Sequence, residues 1–530
     1  GKTSLLQLVS GETTTGTVSG DLLVNGQPVS GKTMKKLSAF VFQDDVILET
    51  MTVREAVTMS ATLRLPSSMS MEKKHDKVNE VLRTLHLDHA ADTRIGGVLT
   101  GVQGISGGER KRTAVAMELV TNPAVIFLDE PTSGLDTFTA FSLVRTLQHL
   151  ARRNRTIIAT IHQPSSEIFQ LFDDLVLLSR GRVVYNGPAL SAVDYFARLG
   201  FPCDRFTNPS DHFFMRVLNN TSEFDPEDVS ADKVAEMMAK ARDELARRLD
   251  HLDEAWRKSP ENALVQERLL KPKTLEPLND QFYKVEAPFT LQFLVLWRRA
   301  FKNAVRNKMI IRGKFGQGLF IALLIGLIYL QLHDDQKGVQ DRVGLLFFLS
   351  INNVMSSAIG ILSIFHGEKT VFRRENKNGL YGVSAYFFSR TLVELPHGIF
   401  FPALSGVIMY WMAGLRADAE KFLTFVVTIV VLNNSGNSIG IFFACLTRTL
   451  GTALMILPVG LLPLMLFTGP RPPYPFRPSA PLSRSSPRSS SLRSFSHSLA
   501  DSNRRSIPFP FLLFTMVVQF PQHALPHTTP

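Results

Sequence analysis

Hydrophobic and polar positions follow two different patterns along the 530-residue chain. Residues 1–290 carry most of the charged residues of the chain. After residue 315, long runs contain no Lys, Arg, Asp or Glu. The five runs are Phe315–Leu332, Val343–Phe365, Leu395–Ala413, Phe422–Thr447 and Thr449–Thr468. Each is about long enough to cross ~30 Å of hydrocarbon, so the pattern predicts an all-α polytopic membrane domain with five spans.

Two further stretches differ from both patterns. Residues 222–287 include "SADKVAEMMAKARDELARRLDHLDEAWRK", where apolar residues at helical spacing among mixed charges predict a solvated amphipathic helix. After Gly469 the chain is rich in Pro, Ser and Arg without periodicity, which is typical of disorder, and an error in the gene model is the other explanation. We therefore divide the chain into four predicted parts. They are residues 1–215, 216–287, 288–469 and 470–530.

Charge adds orientation to this division. The net charge is +11, and residues 297–314, just before the first apolar run, hold seven basic residues and no acid. Because basic loops stay on the cytosolic side, the first span is predicted to run from inside to outside, with the N-terminal domain in the cytosol. Basic clusters that flank apolar spans indicate a membrane surface rather than nucleic acid. Two cysteines are too few for a disulfide framework.

The first candidate chemistry lies in "NPAVIFLDEPTSGLD", where a short apolar run ends in Asp129 and Glu130. A buried strand of a parallel sheet has this composition, and ligands bind at the carboxyl ends of such strands. Asp129 is then placed to hold Mg²⁺ and Glu130 to polarise the water that attacks a γ-phosphate. The alternative is a pair of acids that cap a helix before Pro131.

A second motif, "GISGGERKRTAVAMELVTN", comes just before that strand. Ser106 is a candidate N-cap, and Gly107 and Gly108 let a ligand approach the backbone closely. A helix N-terminus of this kind binds anions. An ordinary capped helix is the alternative, but the acidic strand end that follows directly favours the anion site.

The chain begins with Gly1, Lys2 and Thr3, which match the last three positions of the phosphate-binding loop G-x-x-x-x-G-K-[ST]. The tripeptide alone is weak evidence, since it recurs at residues 31–33. With the other two motifs present, we interpret it as the end of a truncated loop. We expect residues 1–530 by themselves neither to hydrolyse ATP nor to transport.

Together these motifs resemble the nucleotide-binding domain of an ABC transporter. "ISGGERKR", "TIHQPS" and the order of ATPase before membrane domain resemble the G subfamily, the White-type half transporters. The fold implied is an α/β P-loop ATPase domain of ABC type followed by the membrane domain. The resemblance assigns catalysis to Glu130, His162 and Gln43. It assigns nucleotide binding to Gly1, Lys2, Thr3, Ser4, Ser106, Gly107, Gly108 and Asp136. It assigns the metal to Thr3, Gln43 and Asp129.

The function implied is ATP hydrolysis coupled to export of a lipophilic molecule, such as a sterol, another lipid or a xenobiotic. The cofactors implied are ATP and Mg²⁺, and the partners are a second half transporter (as homodimer or heterodimer), the lipid bilayer and a hydrophobic small molecule, with no nucleic acid. The location favoured is the plasma membrane, with an internal membrane as the alternative. Two other functions stay open. They are a truncated product that does not transport and a soluble ABC-type remodelling ATPase.

Within the membrane domain, the resemblance points to two polar clusters and one loop. For Asn352, Asn353, Ser356 and Ser357 we favour substrate contact, because the family's second and fifth spans line a central cavity. For the cluster from Asn433 to Ser438, hydrogen bonding between helices is favoured. The segment Phe365–Pro396 resembles the cytosolic loop that couples the ATPase to the membrane domain.

Overall fold

The computed structural model describes residues 1–12, 16–97, 101, 103–218, 231–270, 287–333 and 335–468. The predicted tail, 470–530, and two pieces of the predicted connector, 219–230 and 271–286, lie outside these residues. The chain forms two compact units. One holds residues 1–306 together with 373–389, and the other begins at 307–372 and resumes at Arg390. The four-part division made from the sequence stays a prediction.

The first unit contains twelve of the described α-helices and seven strands. The helices are α1 (Lys2–Val9), α2 (Gly31–Leu37), α3 (Val53–Arg64), α4 (Met71–Thr84), α5 (Gly107–Leu119), α6 (Thr137–Ala151), α7 (Ser166–Phe169), α8 (Ser191–Arg198), α9 (Pro209–His212), α10 (Ala231–Lys258), α11 (Pro260–Leu270) and α12 (Phe289–Arg306). The strands are β1 (Leu23–Val24), β2 (Gln27–Pro28), β3 (Ser38–Val41), β4 (Val125–Asp129), β5 (Thr156–Thr160), β6 (Asp174–Ser179) and β7 (Arg182–Pro188). A π-helical turn, Phe213–Leu218, follows α9.

The sheet that positions the site is parallel and has the order β3-β4-β5. Its central strand β4 is buried along its whole length, as expected for the apolar run that ends in Asp129. In this register, Val41 pairs with Leu128, and Asp129 pairs with Thr160. The carboxyl ends of all three strands therefore meet at one edge of the sheet.

Helix α1 packs on this sheet through a small apolar core. Leu6 from α1 contacts a cluster that includes Phe40 of β3 and Phe127 of β4. The carbonyl of Gly1 begins the helix by accepting a hydrogen bond from the backbone of Leu5 at 3.0 Å. This packing brings the first turn of α1, with Lys2 and Thr3, to the sheet edge where the candidate acids lie.

The predicted connector helix is confirmed as α10. Its C-terminal half packs Leu252 and Trp256 against the antiparallel hairpin β6-β7 and helix α8, where Tyr185 and Phe196 are fully buried. This aromatic core is separate from the core on the β3-β4-β5 sheet, and it extends the first unit into the segment that was predicted to be a solvated amphipathic helix.

The second unit is helical. It contains α13 (Lys308–Ile328), α16 (Ala419–Leu446) and α17 (Leu450–Thr468), with most of α14 (Gln336–Lys377) and α15 (Val383–Met412). The helices α13 to α16 are long and apolar enough to cross a membrane, and they overlap the first four predicted spans. In the fifth, the apolar stretch within the described residues is Leu450–Pro463, which is shorter. The predicted loop Phe365–Pro396 is mostly helical, because α14 continues through its charged residues to Lys377 and α15 starts at Val383.

Close packing of α14 on α16 depends on two glycines spaced four residues apart. A Cβ atom at Gly436 would meet the carbonyl oxygen of Val354, and one at Gly440 would collide with that of Ala358. In lipid the hydrophobic effect does not drive helices together, so their association depends on close van der Waals packing. Small residues at this spacing let two membrane helices approach closely enough for such packing. The two glycines are visible in the sequence, but the prediction for this segment concerned only the polar residues around them.

Candidate active site

Three side chains, those of Lys2, Gln43 and Glu130, converge on the carboxyl edge of the parallel sheet. Glu130 follows the last residue of β4, and its Oε1 lies 3.6 Å from Nζ of Lys2 in α1. Its Oε2 accepts a hydrogen bond of 2.9 Å from Nε2 of Gln43, which follows β3. Lys2 Nζ also lies 3.5 Å from the carbonyl oxygen of Ile161, just after β5. The ends of the three strands and α1 therefore surround the carboxylate of Glu130.

Asp129 forms the buried part of this cluster, with a relative exposure of 4%. Its Oδ1 accepts hydrogen bonds from the hydroxyl of Thr3 at 3.1 Å and from that of Thr160 at 2.6 Å. The sequence predicted that Thr3 and Asp129 act together, and the structure brings them together. Thr160 was not predicted, although a threonine at the end of the neighbouring parallel strand is the signal that would have found it.

Ser4 and His162, which were also predicted to belong to the ATP site, make fewer contacts. Ser4 is exposed on α1, beside Gly1 at its N-cap. His162 is exposed, and its ring centroid lies 6.4 Å from that of Phe214 in the π-helical turn. Its backbone directly follows Ile161, whose carbonyl faces Lys2. The structure therefore places His162 next to the carboxylate cluster without a described hydrogen bond to it.

Ser106 caps α5 as predicted. Its hydroxyl accepts from the backbone of Glu109 at 3.3 Å, and Glu109 in turn accepts from the backbone of Ser106 at 2.8 Å. Burial alone would raise the pKa of Glu109, but the hydrogen bonds from Ser106 and His89 outweigh it and lower that pKa. This reciprocal capping fixes the start of α5 and leaves Gly107 exposed at the first helical position.

Gly108 and Asp136 connect α5 to α6. A side chain at Gly108 would collide with the methyl group of Thr139, so the glycine is needed for helix packing as well as for the predicted backbone approach. Asp136 caps α6 by accepting from the backbone of Thr139 at 3.0 Å, and hydrogen bonds from Thr139 lower its pKa. Within the described part of the chain, no hydrogen bond or ion pair joins Ser106–Gly108 or Asp136 to Lys2 or Glu130.

Comparison with known families agrees with this geometry. Residues 1–133 match the family model described as ABC transporter, and residues 291–475 match one described as ABC-2 type transporter, with a second model of that description at 162–233. The "Broad substrate specificity ATP-binding cassette transporter ABCG2" of Mus musculus is 34% identical over 88% of this chain and 72% of its own length. "Protein white" of Drosophila melanogaster is 35% identical over 88% of this chain and 66% of its own.

A rat relative, "ATP-binding cassette sub-family G member 8", is 32% identical over 86% of this chain and 64% of its own length. Identity at this level spans both the ATPase end and the helical membrane part. The chain belongs to the G subfamily of ABC transporters. It is therefore a multi-pass membrane protein whose ATPase domain binds ATP and couples its hydrolysis to transport.

In this ABC transporter, a buried lysine adds a contact that the sequence motifs did not predict. Lys111 of α5 is 2% exposed, and its Nζ donates to the carbonyl oxygen of Gln43 at 2.7 Å. The residue lies inside the "SGGERKR" stretch, between two other basic residues. Only its position on the inner face of α5 distinguishes it from Arg110 and Arg112.

The membrane unit of the transporter contains a cavity of about 120 Å³ between α13, α14, α15 and α16. Among its lining residues are Lys314, Asn352, Ser356, His397 and Asn437. The first predicted polar cluster therefore faces a cavity, and the substrate contact favoured for it from the sequence stays a prediction. Its one lysine is neutralised by Glu394, whose carboxylate lies 3.2 Å away, so the cavity offers mainly uncharged hydrogen-bonding groups.

The second polar cluster behaves differently. The amide of Asn434 on α16 donates to the carbonyl of Gly398 on α15 at 3.0 Å and to that of Val430 at 2.8 Å. The bond to Gly398 joins α16 to α15, which is the role that the sequence favoured for this cluster, whereas Val430 lies one turn earlier on α16 itself. Asn433 and Asn437 of the same cluster also line the cavity.

Proposed function

We propose that this G-subfamily ABC transporter exports a lipophilic small molecule as one half of a dimer. The observation that carries the proposal is the convergence of Lys2, Gln43 and Glu130 on one sheet edge, together with four helices among the described residues that are long and apolar enough to cross a membrane. A soluble remodelling ATPase has no use for such helices, which makes that alternative the weaker one.

The chemistry proposed for the site follows from the positions of its side chains. Glu130 accepts hydrogen bonds and is placed to orient and polarise the attacking water, while Lys2 contacts the phosphates. Thr3 and Asp129 offer two oxygen ligands that lie 3.1 Å apart, and oxygen ligands are those that Mg²⁺ prefers. When bound, Mg²⁺ would neutralise charge that develops on the phosphate oxygens.

Dimerisation is supported by the separation, within the described part of one chain, of Ser106–Gly108 from the Lys2 site. Ser106–Gly108 begin a helix whose free N–H groups suit an anion, yet their described contacts are with Glu109 and Thr139 rather than with the Lys2 site. A second half transporter, identical or related, would supply these residues to the ATP held by the first. Asp136, at the start of the adjacent helix, would lie at the same interface.

The substrate proposal rests on the membrane cavity. Its uncharged hydrogen-bonding lining suits a molecule that is mostly apolar and carries a few polar groups, and the ABCG2 relative is named for its broad substrate specificity. We place the ATPase domain in the cytosol, because the basic residues at 297–314 come just before the first span. The plasma membrane is the location that we favour for the protein.

The function is tested by transport into inside-out vesicles, with protein that carries the complete phosphate-binding loop. We expect ATP-dependent uptake of a labelled sterol, a fluorescent phospholipid or a lipophilic dye. Glu130→Gln should retain ATP binding and lose both hydrolysis and uptake, whereas Glu72→Gln, at an exposed site on α4, should behave as wild type. Hydrolysis by Glu130→Gln near the wild-type rate would refute the role of Glu130.

The same assay tests the cavity. Asn352→Leu should reduce uptake of the transported compound or change which compound is taken up, while basal ATP hydrolysis stays within about twofold of wild type. Ser363→Ala on the same helix, which is not among the cavity's lining residues, is the control. Unchanged uptake and selectivity in Asn352→Leu would separate the cavity from the transport path without affecting the ATPase result.

A further inference from the structure

The buried ammonium of Lys111 bridges α5 and the loop that follows β3. Its Nζ donates to the carbonyl oxygen of Gln43 at 2.7 Å and forms an ion pair with Oδ1 of Asp45 at 3.1 Å. The side chain is 2% exposed, and that of Asp45 is 14% exposed. One cation therefore contacts the loop on both sides of Asp44.

A buried ion pair is a poor device for stability alone. The desolvation of two charges often offsets their attraction, and a well-packed apolar side chain at the same place stabilises as much. What the lysine adds is direction, because its hydrogen bonds specify where the carbonyl of Gln43 and the carboxylate of Asp45 must lie. A methionine of similar volume would fill the space without fixing either group.

The fixed backbone belongs to a residue that contacts the candidate carboxylate. From that backbone the side chain of Gln43 reaches Glu130 at 2.9 Å. Lys111 itself contacts neither Glu130 nor the phosphate-binding residues in the described structure, so any effect on them passes through Gln43. A displacement of about 1 Å at such a contact is enough to lower a rate by a large factor.

The loop is also restrained from its other side. Arg374 donates to the carbonyl oxygens of Asp44 at 3.0 Å and Val46 at 3.3 Å, and its guanidinium lies 5.9 Å from the ring centroid of Phe42. In the described structure, the carbonyl of Gln43 accepts its hydrogen bond from Lys111 and not from Arg374. The two cations therefore have separate targets, and loss of Lys111 releases the residue next to the site while the rest of the loop stays attached.

We propose that Lys111 is a positioning residue for ATP hydrolysis, because it holds the backbone of Gln43 so that the Gln43 amide stays on Glu130. Its helix also begins with Ser106–Gly108, so the same lysine ties the orientation of Gln43 to that of the anion-binding helix end. ATP binding through Lys2 and Thr3 does not depend on this contact. Lys111 should therefore affect turnover rather than affinity.

The test compares Lys111→Met and Lys111→Arg with a matched control in membrane-embedded protein that carries the complete phosphate-binding loop. Lys111→Met should lower kcat by about tenfold or more and leave the Kd for a fluorescent ATP analogue within about twofold. Lys111→Arg, which keeps the charge and its donors, should recover part of kcat. The control is Lys74→Met, since Lys74 is equally buried at 3% exposure but donates to the carbonyls of Thr62 and Leu65.

Lys74→Met should lower the melting temperature and leave kcat unchanged. If Lys111→Met behaves in the same way, with a lower melting temperature and an unchanged kcat, Lys111 is a structural residue and the proposal is overturned. If Lys111→Met does not fold, Asp45→Asn replaces it, because it removes the lysine's charge partner at nearly constant volume. Wild-type kcat in Asp45→Asn would then overturn the proposal in the same way.

A double-mutant cycle identifies the route of the effect. In a Gln43→Ala background the amide that Lys111 positions is absent, so Lys111→Met should cause no further loss of kcat. Losses that multiply would show that Lys111 acts independently of Gln43, which contradicts the proposed route. Equal kcat values for the single Gln43→Ala and the double variant support it.

Discussion

At the scale of single residues, the backbone of Glu130 shows how the site is held. Its φ angle is 45°, in the left-handed region that non-glycine residues rarely adopt. The backbone N–H of Glu130 donates to the carbonyl of Thr160 at 3.0 Å and to its hydroxyl at 2.9 Å. Such a conformation persists only where the surroundings impose it, and here the end of β5 does so. Thr160 thereby turns the Glu130 side chain away from the strand direction towards Gln43 and Lys2.

The hydroxyl of Thr160 can be removed without changing the shape of the side chain. Thr160→Val deletes the bond to Asp129 at 2.6 Å and the one to the Glu130 backbone. We expect kcat for ATP hydrolysis to fall by about tenfold, because both acids lose a partner that fixes their direction. Thr160→Ser keeps the hydroxyl and should retain most of the rate. The measurement is the steady-state ATPase rate of the two variants. Equal rates in both would exclude a role of the Thr160 hydroxyl in hydrolysis.

At the scale of elements, α12 is attached to the N-terminus of α3 by charge. Glu55 in the first turn of α3 accepts from Arg306 at 2.6 Å and from Lys302 at 2.9 Å, both on α12. Burial alone would raise the pKa of Glu55, but hydrogen bonds from Arg306, Lys302 and the backbone of Thr52 outweigh it and lower the pKa to about 2. The ionised carboxylate therefore links a helix of the ATPase sheet region to the helix that comes just before the first span in sequence.

This link predicts a dependence of stability on pH. Because the folded-state pKa of Glu55 lies below its ordinary value of 4.5, the stabilisation is complete above about pH 4.5 and is lost as the pH falls towards about 2. Glu55→Gln retains the capping box with Thr52 and loses the charge. Its melting temperature should be below that of wild type at pH 7, and the gap should narrow as the pH is lowered from 5 to 3.5, in steps of about half a unit.

Glu72→Gln, exposed on α4, is the control for this experiment and should show no gap at any of these pH values. A gap between Glu55→Gln and wild type that stays constant down to pH 3.5 would contradict the assignment of the stabilisation to an ionised Glu55.

At the scale of the whole molecule, the distribution of charge predicts which side of the membrane each loop occupies. The basic residues at 297–314 precede the first span, and the connection at 333–342 has no basic excess. That connection is therefore expected outside and the ATPase unit inside. Gly338 within it is a poor labelling site, since a Cβ atom there would collide with the carbonyl of His333. Gln340 is exposed and accommodates a cysteine.

In a background with Cys203 and Cys445 replaced by serine, Gln340→Cys should react with a membrane-impermeant maleimide in intact cells. Lys73→Cys, on the exposed face of α4, should react only after permeabilisation. The readout is the fraction of protein labelled before and after permeabilisation. The opposite pattern for the two cysteines would reverse the proposed orientation.

The sequence by itself determined the features whose chemistry is local in the chain. Asp129 and Glu130 are recognisable because an apolar run and the acids at its end are contiguous, and Ser106 because a cap and its helix are neighbours. The apolar spans are evident because a crossing helix must be long and uncharged along its whole length. The same reasoning placed α10 and the strand that precedes His162.

The tertiary structure alone decided which distant residues meet. Gln43 reaches Glu130, and Thr160 bonds to Asp129, because β3, β4 and β5 align in one register, which no local pattern specifies. Lys111 faces inward while its basic neighbours do not, since the face of a helix that is buried depends on what packs against it. The packing of Gly436 and Gly440 on α14 likewise requires the partner helix to be known. Features that depend on neighbouring residues can be predicted from the sequence, whereas contacts between distant residues depend on how strands pair and helices pack.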